Sequence, residues 1–450
     1  MPIRRGDALG FRAGADYFGD LLAPGLSNAT FDARWISILS WCLQWSHVAW
    51  HRAGGVDLAG SDGRRARYAW LRPLELLWVD RTLESGQDSG QLRGRRSVER
   101  WRKAGRQEPN FAMSPDQFRR YRQVGIYGAY RVVLRTVPGL TMGDGWTLAN
   151  AGSQLASLVN DGLPRDARLK QKNFENGTKW GRWRNGDEAR YWVERGWPAW
   201  VKTGGFLPTP NDAISKRLPE EERRLLESVL FGAESIRRVT AVILANAKGA
   251  RSHADLCDAL ANSSVLAKKL ESRLLALLPA FTRLADAGMH AMRGLWEQIN
   301  HDGTEQAPAI DKLARSQELQ SRLDLVREAG AAWLRVPQRS LFPHDHVVTR
   351  LAEAMRETTT RSNQLRALVR HHQEHGGGLR WFREEAGKLV PLAPDTGVAA
   401  ANYGFRLWPL CRLAAQCGVA KMDTALDAVT RSELEGVMRH EPDDEERDTL

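Results

Sequence analysis

Apolar side chains recur at helical spacing along most of this chain. In "FDARWISILSWCLQWSHVAWHRAGG" the positions Trp35, Ile38, Leu39, Cys42, Leu43, Trp45 and Val48 follow i, i+3, i+4, i+7. That spacing predicts a long, largely buried helix beginning near Asn28 or Thr30. Pro24–Gly25 stops the segment before it, and Gly54–Gly55 ends it. Trp70, Leu74, Leu77 and Trp78 mark the core face of a further helix. Ser114–Pro115, a cap followed by a first-turn proline, opens the helix carrying "DQFRRYRQVGIYGAYRVVLRTV".

From Pro219 to about Arg335 the helical pattern runs almost without a break. Pro219 stands at a first-turn position, with acids behind it where the helix dipole favours them. The region reads as a helical bundle or a helical repeat-like domain, although no fixed repeat period emerges. "LRWFREEAGKLVPLA" predicts a hairpin turning near Glu385–Gly387, and "YGFRLWPLCRLAAQCGVA" a helix stopped by Gly418. The expected fold class is mainly α, a multi-domain helical protein with small β-hairpins. Its expected parts are an N-terminal helical domain (1–90), a basic module (91–165) and a Trp/Arg-rich connection (166–215). A helical bundle (216–365), a helix–hairpin–helix (366–432) and an acidic tail (433–450) follow.

Charge sharpens one region. The 450 residues carry 65 Lys and Arg against 54 Asp and Glu, a formal net charge of +11. Between Arg93 and Arg135 stand twelve basic residues and three acids, which concentrates most of that excess. Such a run favours a polyanionic partner. The nucleic-acid-binding candidates are Arg93, Arg95, Arg96, Arg100, Arg102, Lys103, Arg119, Arg120 and Arg122. Lys179, Trp180, Arg182 and Trp183 join them, because cations interleaved with indoles suit phosphate contact plus base stacking. The same interleaving also suits a structural tryptophan cluster with cation–π pairs.

Catalytic signatures are missing from the sequence. It holds no GxxxxGK[ST], no GxGxxG after a strand and no GxSxG. Cys42, Cys257, Cys411 and Cys417 form no CxxC and read as buried thiols. His344 and His346 make an HxH around Asp345, which is expected to cap a helix. His371, His372 and His375 in "VRHHQEHGGG" lack the HExxH arrangement. They read as a helix end, favourable to the dipole's negative pole and released by Gly376 as a left-handed cap. No catalytic residue, metal or cofactor is expected. The start "MPIRRGDALGFRAG" has no apolar core, and no apolar run reaches spanning length, so a cytoplasmic protein without membrane contact is expected.

Two resemblances add to this reading. "VPGLTMGDGWTLANAGSQLASLV" is similar to the wing end of winged-helix DNA-binding domains, where a short strand follows a Gly-Asp-Gly turn and a helix closes the module. "DYFGDLLAPGLSNATFDARWISILSWCLQW", "YRQVGIYGAYRVVLRTVPGL" and "HHQEHGGGLRWFREEAGKLVPLAPDTG…YGFRLWPLCRLAAQCGV" resemble segments of uncharacterised bacterial families encoded near helicases in anti-phage defence loci. The chain departs from their opening pattern at Ala23 and at Phe31–Asp32–Ala33. The resemblance implies a nucleic-acid-binding accessory protein, with DNA and a helicase or nuclease as partners. It carries over no catalytic residue. A helical scaffold that binds only proteins is the alternative, and a metal-dependent nuclease using the histidines is a third.

Overall fold

The computed structural model describes residues 7–52, 125–162, 218–301, 307–377, 380–392 and 403–428, with scattered positions between 67 and 103 and Arg168. These residues are mainly helical. The helices are α1 (Arg12–Leu22), α2 (Ala33–Arg52), α3 (Ile126–Thr136), α4 (Asn150–Gly162), α5 (Glu220–Leu230), α6 (Ile236–Asn246) and α7 (His253–Ala261). There follow α8 (Ser264–Lys269), α9 (Ser272–Leu275), α10 (Leu278–His301), α11 (Ile310–Leu313), α12 (Gln317–Arg335), α13 (Asp345–Glu357) and α14 (Arg361–His375). After the hairpin β1 (Phe382–Glu385) and β2 (Lys388–Pro391) come α15 (Leu407–Cys417) and α16 (Asp423–Ala428).

The chain divides into two compact units. One is built from Gly25–Ser235 and Arg412–Val419. Its spine is α2, which packs on α3 and α4. Trp35, Ile36, Ile38, Leu39, Trp41 and Cys42 are all buried, so apolar residues go under on every side of this helix. It starts at Ala33, later than the pattern predicts, because Asp32 and Thr30 are used to fix its entry. Trp41 meets Trp78 edge-on with centroids 5.9 Å apart and donates its Nε1–H to Asn160 of α4 at 3.3 Å. α5 opens behind Pro219 with Glu220, Glu221 and Glu222 in its first turn; Pro219 is the N-cap rather than a helical residue.

Charge is also buried in this unit. Arg34 pairs with Glu222 where both side chains are almost fully shielded from water. Asp32 accepts the Arg34 backbone N–H at 3.1 Å, and its own N–H donates to the Tyr130 hydroxyl at 2.9 Å. Burial pushes the Asp32 carboxyl up to about 7, against the opposing pull of Arg412 and Arg34.

The other unit is built from Met1–Pro24, Ile236–Cys411 and Ala420–Leu450. Helices α10, α12, α13 and α14 pack in succession, and β1 lies on α14. An aromatic core holds them. Phe18 and Phe342 stack at 5.1 Å and 19°, and Phe281 meets Phe11, Phe18, Phe342 and Phe405. Burying one such ring contributes roughly 1.5–3 kcal/mol. The hairpin pairs Glu385 with Lys388 across Ala386–Gly387, both at positive φ, as the sequence pattern predicts. Gly418 at φ +75 follows α15, also as predicted. The four cysteines are buried and unpaired by disulfide. Among the described residues, no helix is long and apolar enough to cross a membrane.

Candidate nucleic-acid interface

The basic segment is described at Arg95, Glu99 and Lys103 and then continuously from Gly125 through α3. Gly125 precedes the helix at φ +129, a conformation that excludes larger residues, and a Cβ there would collide with Glu75. Glu75, fully buried, accepts the backbone N–H of Ile126 and lies 3.4 Å from that of Tyr127. A carboxylate thus satisfies the first donors of α3, in place of a capping side chain from the helix's own N-cap. Arg72 pairs with it at 3.3 Å. Burial still moves the Glu75 carboxyl above its ordinary range, since the bonds from Arg72, Ile126, Tyr127 and Tyr68 offset only part of the lost hydration.

Between α3 and α4 the chain makes a tight glycine-rich turn. Thr141 and Leu148 form a single antiparallel bridge, and Met142 N–H donates to the Thr147 carbonyl at 2.8 Å. No strand forms among the described residues here. The short strand expected in the winged-helix reading is replaced by a turn, because Asp144 organises the backbone locally. Its carboxylate accepts from the N–H groups of Trp146 and Thr147 at 2.7 and 2.8 Å and from the Thr147 hydroxyl at 2.7 Å. These bonds, led by that of Trp146, hold the Asp144 carboxyl below its usual range against a desolvation that would raise it. The Thr141 hydroxyl ties the turn to the Leu134 carbonyl at 2.6 Å. α4 is held close because Gly152 sits against Leu140; a side chain there would overlap the Leu140 carbonyl.

Two arginines lie against this turn. Arg67 Nη1 lies 3.7 Å from the Asp144 carboxylate. The aliphatic stem of Arg135 covers Gly145, where a Cβ would come within 2.7 Å of it. Arg131, Arg135 and Arg67 all act electrostatically on the Tyr127 hydroxyl, which burial nevertheless pushes well up. That hydroxyl donates to the Gly145 carbonyl at 3.0 Å. Exposed side chains here include Arg135, Val132 and Met142.

The candidates from sequence fall unevenly. Arg95 is helical, half-exposed and bonded to Glu99 at 2.6 Å, so part of its charge is met within its own helix. Lys103 is helical and exposed. Arg93, Arg96, Arg100, Arg102, Arg119, Arg120, Arg122, Lys179, Trp180, Arg182 and Trp183 lie outside the described residues, as does the acidic tail. Arg131 and Arg135 stand out in the sequence only as charge, not as a site. Arg67 does not stand out at all, since nothing local ties residue 67 to residue 144.

The histidines serve another purpose. His372 accepts the Trp381 backbone N–H on Nε2 at 2.9 Å, so its proton is on Nδ1, which donates to the Ala8 carbonyl at 2.8 Å. His371 donates through Nε2 to the Leu9 carbonyl at 2.9 Å. Both rings are buried, and that burial lowers each to about 4. They are therefore neutral latches on residues 8 and 9, not cationic partners of the helix dipole. Gly376 has φ −57 and ψ 133, so the left-handed cap expected there is absent; the chain instead turns away extended, with Gly377 bridged to Asp7. His344 is the N-cap of α13, and Asp345 is its first residue, accepting from Thr349 at 2.6 Å. Among the described residues no three His, Cys, Asp or Glu side chains come together as a metal site requires. Compared with known protein families, curated proteins and solved structures, the chain matches none.

Proposed function

We propose that this protein is a nucleic-acid-binding accessory component of a bacterial anti-phage defence assembly, which helps to seat a helicase or nuclease partner on DNA. The observation that carries the reading is the run from Arg93 to Arg135, twelve basic residues against three acids. Its last two arginines, Arg131 and Arg135, lie on α3. Phosphate contacts of this kind give affinity and salt dependence without reading sequence. The resemblance to helicase-associated families supplies the biological setting. The direct test is binding of a DNA duplex by the full-length protein. Charge reversal by Arg95→Glu, Arg96→Glu, Arg119→Glu and Arg120→Glu is expected to weaken it; unchanged binding and salt slope would sink the reading.

A second reading, a helical scaffold for protein partners without DNA contact, draws support from the other unit. Many arginines there are met by acids: Arg361 by Asp324 at 2.5 Å, Arg322 by Glu318, and Arg406 by Asp20. Such pairing leaves less charge for a polyanion. Co-purification with a partner protein, together with no retention on heparin, would favour this reading.

A further inference from the structure

We infer that Arg350, His375 and His346 together form a site for a phosphate group, in the unit built from Met1–Pro24, Ile236–Cys411 and Ala420–Leu450. The inference does not depend on the nucleic-acid reading above. Two helices that pack on each other, α13 and α14, bring these side chains to one place. His346 and Arg350 are four residues apart on α13 and share a face. His375 is the last residue of α14. Arg350 Nη1 lies 3.5 Å from His375 Nε2, and His346 is close enough to act electrostatically on the same ring. Arg350 and His346 are exposed, and His375 is partly so.

Negative charge is scarce around this group. Among the described residues no carboxylate pairs with Arg350. Glu374 comes within 3.8 Å of His375 Nε2, but its side chain is 55% exposed, so water screens its charge. Asp345 accepts from the Thr349 hydroxyl at 2.6 Å and faces Arg339 at 3.8 Å. Asp7 belongs to the segment that passes His375 at Gly10, and it accepts from the Tyr403 hydroxyl at 2.7 Å.

The geometry suits a tetrahedral oxyanion. A guanidinium only donates, so His375 Nε2 accepts from Arg350 and its ring is neutral. Once His375 is protonated, Nε2 and Nη1 are both donors, with like charges 3.5 Å apart. One anion seated against them accepts from both and removes the repulsion. His346 stands in the first turn of α13 and adds a third donor, where the helix dipole favours negative charge. A carboxylate offers two oxygens in one plane, whereas a phosphate offers one oxygen to each of three donors.

Protonation ties this binding to pH. Burial and the Arg350 charge hold the His375 ring below its ordinary range, and a bound anion opposes the effect of Arg350. Binding therefore takes up a proton and strengthens as pH falls. His371, whose ring lies 4.8 Å from that of His375, is lowered to about 4 by burial and keeps donating to the Leu9 carbonyl.

The experiment is isothermal titration calorimetry of the full-length protein with inorganic phosphate and with sulfate, at constant ionic strength in chloride. Sulfate keeps its charge over this range, so its pH trend reports the protein alone. Wild type is expected to bind sulfate about tenfold more tightly at about pH 5.5 than at about pH 8. Arg350→Gln is expected to weaken both anions about tenfold at the lower pH. Arg356→Gln, which removes an exposed arginine from the last turn of the same helix, should leave both unchanged. His346→Gln with His375→Gln keeps Arg350 and should flatten the pH trend. Circular dichroism checks that each variant is folded. A wild type that binds neither anion at the lower pH overturns the site. So does equal weakening by Arg350→Gln and Arg356→Gln, or a pH trend that survives loss of both histidines. A short DNA strand titrated alongside identifies the source of the phosphate. Weakening of the strand as well as of inorganic phosphate by Arg350→Gln assigns the site to a nucleic-acid backbone, and weakening of inorganic phosphate alone assigns it to free phosphate.

Discussion

Tyr127 stacks on Trp146 with ring centroids 4.4 Å apart and planes inclined by 29°. The pair couples the first turn of α3 to the turn that follows it, and the Tyr127 hydroxyl adds a bond to Gly145. Removing the hydroxyl alone, in Tyr127→Phe, is expected to cost about 1 kcal/mol. Tyr127→Ala removes the ring as well and is expected to cost about 3–5 kcal/mol. Urea unfolding followed by tryptophan fluorescence measures both. Equal losses for the two variants would show that the stack contributes nothing.

Arg34 and Glu222 give a second prediction. Both are buried, so removing one partner strands a charge away from water. Arg34→Met is expected to destabilise the protein by about 3–5 kcal/mol, whereas Arg34→Met with Glu222→Met should recover much of the loss. The cycle is read from unfolding midpoints. A double variant as unstable as the sum of the singles would mean that the two side chains act independently.

The latch on residues 8 and 9 predicts a pH dependence. Folded His372 takes up its proton only near pH 4, while an unfolded imidazole does so near 6.5. Between those values the unfolded chain holds the extra proton. Stability is therefore complete above about pH 6.5 and falls as pH drops toward 4. His371 acts with the same sign, and Asp7, whose carboxyl burial raises, acts with the opposite one. His372→Asn keeps a donor for the Ala8 carbonyl and removes the titration. Its unfolding free energy should fall less steeply between pH 6.5 and 4 than that of wild type, by about one proton. Parallel profiles for the two proteins would contradict the assignment.

What could be read from sequence was what is local. The period of Trp35, Ile38, Leu39 and Cys42 announces a buried helix because burial and helical geometry share that spacing. The two-residue turn at Ala386–Gly387 and the stop at Gly418 were legible for the same reason. Pairings between distant residues were not. Nothing in the pattern says that Asp7 accepts from the Tyr403 hydroxyl, that Glu75 caps α3, or that Arg67 faces Asp144. The histidines show the limit most clearly. A helix end rich in His and Gly reads as dipole chemistry, yet the fold lays residues 8 and 9 across it and makes the rings neutral hydrogen-bonding groups. The basic run is legible as an excess of charge, whereas the approach of Arg67 to the turn shaped by Asp144 is not.

The central claim is that the basic run from Arg93 to Arg135 holds phosphates. Its most direct test is the salt dependence of duplex binding by wild type and by the Arg95→Gln, Arg96→Gln, Arg119→Gln, Arg120→Gln variant, with log K plotted against log salt. The account predicts a steep wild-type slope that becomes shallower by about 3–4 in the variant, at about 0.9 per neutralised phosphate. Identical slopes, or a wild type whose binding ignores salt, would contradict it.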